Sequence, residues 1–203
     1  MCFRFRFLSL LALSAVPVLA SAQIDLVNPG RAPMTGFTAI SPQSVSSDGR
    51  YVVFFSTCPD LVSGVGNDFE QVYRWDTLTD QVLLISRKSN GSPASATSDT
   101  ASISDDGSKI AFISGDTSLA SGGAGFRSLY YATISGSTVT LRTVATDTAA
   151  SDPYDISISG DGQFIVHGDF LAATSNERII RYNTSTFTSA VIVDSNIQHG
   201  GQF

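Results

Sequence analysis

One phrase recurs three times in this chain and constrains its fold more than any other feature. It reads "SVSSDGRYVVFFS" at 44–56, "SISDDGSKIAFIS" at 102–114 and "SISGDGQFIVHGD" at 157–169. Aligned on Asp48-Gly49, Asp106-Gly107 and Asp161-Gly162, the copies stand 58 and then 55 residues apart. Asp-Gly between two β-branched or aromatic runs marks a tight hairpin, because glycine tolerates positive φ and aspartate can bond its own backbone. Self-similarity on this scale means a repeat architecture, in which each copy is one supersecondary unit.

Each copy carries the same succession of four strand-like runs. A short run ends at the Asp-Gly turn ("QSVSS", "ASISD", "DISIS"), and a strongly apolar one follows. After a loop come "EQVYRWD", "RSLYYAT" or "ERIIRYN", and then "QVLLIS", "LRTVAT" or "SAVIVD". Short β-branched and aromatic runs bounded by Gly, Asp, Asn and Ser dominate the chain outside the N-terminal segment, so it reads as all-β. "YVVFF" is apolar at successive positions rather than alternate ones, the pattern of a strand buried on both faces. A four-stranded unit buried on both faces and repeated is a β-propeller blade. A β-helix has shorter rungs, and an immunoglobulin-like sandwich of about 100 residues has no internal period of this size.

These residues also carry a family resemblance. "SISDDGSKIAFIS", a Ser/Gly/Asp loop and then "VYRWDTLTDQVLLIS" resemble the WD40-like repeat of TolB-type propellers, often called PD40. The resemblance covers all three units, from about residue 44 to residue 195, and is strongest in the first. The third departs from it, with His167 in place of Phe54 and Phe112, and Asn183 in place of Asp76.

The N-terminus has the layout of a secretory leader: Arg4 and Arg6, the apolar run "LSLLALSAVPVLA", and then Ala20-Ser21-Ala22. Residues 1–22 are therefore expected to be a signal peptide and Gln23 the first mature residue. The apolar run is shorter than the roughly 20 residues that span a bilayer, so no membrane insertion is expected after cleavage. The destination is the periplasm or the extracellular space. Cys2 leaves with the leader, so Cys58 is expected to be a lone, partly buried thiol. Removal of Arg4 and Arg6 leaves 10 basic against 18 acidic side chains, a net of −8, which argues against nucleic acid or an anionic membrane surface as partner.

The domain organisation expected is a partial β-propeller over 23–203, with blades at about 42–88, 100–146 and 154–195 and a leading N-terminal strand. That strand is Ile24 to Val27, because "IDLVNPGRAPMTGFTAISPQSVSSDG" lies without gaps on "VLLISRKSNGSPASATSDTASISDDG" at the 58-residue offset. Three blades fall short of the four to eight that close a ring. Two explanations stay open: this is the N-terminal part of a longer propeller, or two chains pair as a homodimer closing a six-bladed ring.

Chemistry is sparse. G-x-S-x-G, HExxH, the P-loop and CxxC are absent, so no catalytic residue is assigned. The two histidines, His167 and His199, read as packing and solvent contact. The Asp-Gly turns lack the alternating oxygen ligands and the later Glu of a calcium loop, so no metal and no cofactor is expected. Strand-two-to-three loops and strand-four-to-one links open on one end of a propeller, bringing Asp60, Asp68, Asp99, Asp116, Asp147 and Asp152 toward the channel mouth as candidate binding residues. Loops on a rigid scaffold carry function. The resemblance implies an exported, non-catalytic module that binds a protein, peptide or glycan through this loop face. The alternative is the propeller portion of a larger hydrolase or lyase.

Overall fold

The computed structural model describes residues 36, 38–59, 61–66, 68–146, 152–171 and 174–195. Among them are twelve strands in three four-stranded antiparallel sheets, and no helix. The first sheet holds β1 (Thr38–Ala39), β2 (Tyr51–Ser56), β3 (Gln71–Asp76) and β4 (Gln81–Leu84). The second holds β5 (Ser98–Ile103), β6 (Lys109–Ser114), β7 (Ser128–Ser135) and β8 (Thr138–Thr146). The third holds β9 (Asp152–Ile158), β10 (Phe164–Leu171), β11 (Asn176–Asn183) and β12 (Thr188–Asp194). Each is a meander, and together they are three blades of a partial β-propeller. The leader and the leading strand at Ile24 to Val27 lie outside the described residues.

The repeated phrase folds the same way three times. Ser46 Oγ donates to Asp48 Oδ1 at 2.6 Å and accepts the Tyr51 N–H at 2.8 Å, while the Arg50 N–H donates to the same carboxylate at 3.0 Å. Ser104 with Asp106, and Ser159 with Asp161, repeat this bracket. The following glycines sit at φ of +72°, +69° and +66°, where an L side chain is strained. Hence the motif needs its serine and its glycine as much as its aspartate. The connection is a four-residue loop closed by the Ser46 N–H on the Tyr51 carbonyl at 2.9 Å, longer than a two-residue hairpin.

The innermost strands depart from the regular pattern. In β5 an extra residue, Thr100, bulges at φ +46°, and in β9 Asp155 does the same at +40°. The first blade is more broken still, since Ala39 pairs with Phe55 and the next contact is a single bridge from Val45 to Val52. Five residues, 40–44, there oppose two. Pro42 has no N–H to give a ladder and Gln43 lies at φ +56°, so "QSVSS" does not form the continuous strand expected. The Gln43 side chain reaches across all three blades: its Oε1 accepts from Ser102 Oγ and Ser157 Oγ, and its carbonyl accepts the Ile103 N–H at 3.0 Å.

Cores form between blades rather than within them. Val53, Val72 and Ile85 of the first blade pack with Ile103, Phe112 and Tyr130 of the second. Ala111, Ile113 and Leu129 of the second pack with Ile158, Ile165 and Tyr182 of the third. The middle blade is therefore buried on both faces, and Ser128 to Ala132 of β7 are buried at five successive positions. A smaller core of Cys58, Leu61, Val65 and Tyr73 backs the first blade. Cys58 is fully buried, deeper than the partly buried position expected.

Candidate functional site

The six loop-face aspartates meet different fates. Asp60 and Asp147 lie outside the described residues, and of Asp152 only the backbone, at the start of β9, is described. Asp68 is exposed in the β2–β3 loop. Asp116 points inward and is 5% exposed. Its Oδ2 accepts the Ser95 N–H and Oγ, both at 2.7 Å, and its Oδ1 accepts the Ser118 N–H at 2.9 Å and Oγ at 2.6 Å. Lys88 Nζ stands 3.3 Å away. Burial works against its ionisation, yet these hydrogen bonds outweigh it and hold the carboxyl well below the usual carboxylate range. Asp116 thus clamps the link before the second blade to the loop beyond β6.

Asp99 belongs to a different arrangement, at the junction of the first two blades. Arg127 Nη2 donates to Asp99 Oδ1 at 2.9 Å, with both side chains about a third exposed. Next door the Ser98 N–H donates to the Glu70 carbonyl at 2.8 Å. Partial burial, and then the Asp99 charge, push the Glu70 carboxyl above its ordinary value. Strand register makes Gln71 and Ser128 equivalent, since they pair with Ser56 and Ser114. Glu70 and Arg127 are then equivalent positions, and so are Phe69 and Phe126. These two phenylalanines are 40% and 86% exposed. One continuous run of contacts therefore joins Phe69-Glu70, Ser98-Asp99 and Arg127-Phe126.

Of these residues the sequence singled out only Asp99. Glu70 and the two phenylalanines were legible in "FEQVYRW" and "FRSLYYA", where an aromatic precedes a charged residue at the same register. Their exposure was not legible, because phenylalanine before a strand reads as core.

The third blade holds a second group of polar side chains. His167 is 2% exposed at the position filled by Phe54 and Phe112, and its Nδ1 lies 2.9 Å from the Gly168 carbonyl. Burial pushes its pKa down. Asp169, at the position of Ser56 and Ser114, is buried and paired with Arg178. Asn183 keeps the turn-capping role of Asp76, its Oδ1 accepting the Ser185 N–H at 2.8 Å. This blade packs despite its departures. Among the described residues no group of three His, Cys, Asp or Glu side chains could hold a metal ion.

No family model matches this sequence, and no curated protein does. Solved structures do. The oligogalacturonate lyase of Vibrio parahaemolyticus overlays 80% of this chain and 47% of its own, at 11% identity and a TM-score of 0.52. An oligogalacturonate lyase in complex with manganese overlays 81% and 48%, at 14% identity and a TM-score of 0.52. TolB from Acinetobacter baumannii covers 74% and 31%, at 19% identity and a TM-score of 0.43. The chain thus spans about half the length of the two lyases. At these identities the likeness is one of fold, and it agrees with the class that the three packed blades define, a partial β-propeller.

Proposed function

We propose that this chain is an exported, non-catalytic TolB-like propeller module that binds a protein, peptide or glycan through its loop face. The observation that supports the reading is the pair of exposed phenylalanines at equivalent blade positions, bridged by Glu70, Asp99 and Arg127. Aromatic faces supply large apolar contact area, and a neighbouring arginine and carboxylates supply orientation. Sugar rings and peptide side chains both stack on such faces. Export rests on the leader-like N-terminus.

The test is calorimetric titration of the purified protein with neutral oligosaccharides, oligogalacturonides and a peptide panel. Saturable binding of one class is expected, abolished by the double variant F69A/F126A with an unchanged melting temperature. Binding that the double variant leaves intact refutes this surface. Turnover of the oligogalacturonides to unsaturated products refutes the non-catalytic reading and favours a lyase.

A further inference from the structure

Three contacts repeat at each junction between consecutive blades. First, the turns form a ladder: the Ser47 N–H donates to the Asp105 carbonyl at 3.0 Å, and the Asp105 N–H donates to the Gly160 carbonyl at 2.8 Å. Second, the residue two after each turn glycine lies over the turn glycine of the next blade. Tyr51 covers Gly107 and Lys109 covers Gly162, so closely that a methyl group on either glycine would overlap the covering side chain. Third, a cation from one blade caps a turn carbonyl of the next: Arg74 Nη1 donates to the Gly107 carbonyl and Lys109 Nζ to the Asp161 carbonyl, both at 2.7 Å.

At the two ends of the array each contact is half made. The third blade presents the covering residue, Phe164, with the Arg181 guanidinium 4.9 Å from its ring centroid, just as Arg74 lies 4.3 Å from that of Tyr51. It also carries the donor end of the ladder, Gly160. The first blade presents the receiving glycine, Gly49, with nothing within 4 Å of where its Cβ would be. A depression of about 630 Å³ lies there, lined by Asp48, Gly49, Arg50, Thr77 and Leu78. The first blade also carries the acceptor end of the ladder, Ser47.

The apolar surface follows the same logic. Val72, Leu129 and Ile179 occupy one register position in β3, β7 and β11, and their exposures are 0%, 0% and 42%. The face that Val72 and Leu129 turn to the next blade is, in the third blade, open around Ile179. Val193 of the neighbouring β12, which pairs with Ile179, is 45% exposed.

We infer that two copies of this chain dock head to tail, Phe164 and Arg181 of each on the Gly49 turn of the other, closing a six-bladed ring. Every copy carries both halves of the contact, and one two-fold axis satisfies both ends at once. Six blades lie within the four to eight that close, whereas three do not. The inference stands on the blade ends alone and is independent of the loop-face reading.

The test is light scattering behind size exclusion on the purified protein at micromolar concentration, with the variants Ile179→Lys and Arg181→Glu. The expected mass is twice that of one chain, falling to a single chain in both variants with the β circular dichroism spectrum retained. A wild-type monomer with a cooperative melt overturns the inference. A dimer unaffected by either substitution overturns it as well, because the contact then lies elsewhere. Larger open chains refute the two-fold closure.

Discussion

Replacement of Asp116 by asparagine tests whether this loop-face carboxylate holds the fold or meets a ligand. The carboxylate accepts two backbone N–H groups, from Ser95 and Ser118, which cannot turn away, and two hydroxyls, which can. Asparagine keeps one oxygen and turns an amide donor toward the other N–H, while Lys88 loses its counter-charge and keeps only Ser95 Oγ. A buried donor left unpaired costs about 1–3 kcal/mol, and the surviving bond loses its charge assistance, so D116N should lose about 2–3 kcal/mol. D116A strands both N–H groups and should lose about 3–5 kcal/mol. In a chain of this size that is a melting shift of roughly 4–12 °C for D116N. Urea unfolding at pH 7 measures it, an unchanged m-value showing that the unfolded state is the same. Because the folded carboxyl titrates below its unfolded value, the wild-type advantage is full above about pH 4 and declines as the pH falls toward the folded value. A D116N protein as stable as wild type, yet defective in binding, would refute the structural assignment.

Three further outcomes follow from the same contacts. Asp76, bonded to both Arg50 nitrogens and to the Leu78 N–H, is held down to about 2, so wild type should exceed D76N in stability above about pH 4. That difference should close as the pH falls through about 2, as urea titrations at pH 7, 4 and 2 would show. Gly49 and Gly107 have nearly the same φ, but only Gly107 lies under a ring, so G107A should be less stable than G49A by more than about 1 kcal/mol in paired melts. Burial lowers the pKa of His167, so the unfolded chain binds more protons below about 6.5 and wild-type stability should fall from pH 7 to 5. In H167F, which installs the residue of the other two blades, that decline should flatten.

The repeat was legible because its signals are local. A serine, an aspartate and a glycine in fixed order bracket one loop, and three copies in register place the sheets. The non-alternating apolar strands likewise announced burial on both faces, which β6 and β7 show, whereas in β2, the strand read that way, only Val53 and Ser56 are buried. The bulges at Thr100 and Asp155 were hidden: a β-branched threonine disfavours positive φ, and aspartate tolerates it but is too frequent in this chain to mark a bulge. The loop face was harder still. Asp99 and Asp116 look alike in sequence, and only tertiary neighbours separate a partly exposed ion pair from a buried clamp. Phe126 illustrates the converse, because hydrophobicity alone cannot distinguish an 86%-exposed ring from the buried ring of Phe112.

The reach of Gln43 changes how this array comes apart. In repeat proteins built only on nearest-neighbour interfaces, terminal units fray one at a time and the rest stand unaffected. Here a single amide in the first blade bonds Ser157 in the third, 114 positions away in sequence, as well as Ser102 between them. The three inner edges thus share one hub, and loss of the last blade strips a hydrogen bond from the first. Unzipping from the C-terminal end is penalised at the opposite end of the chain, so the three blades should melt in one calorimetric transition, which Q43A should broaden or split.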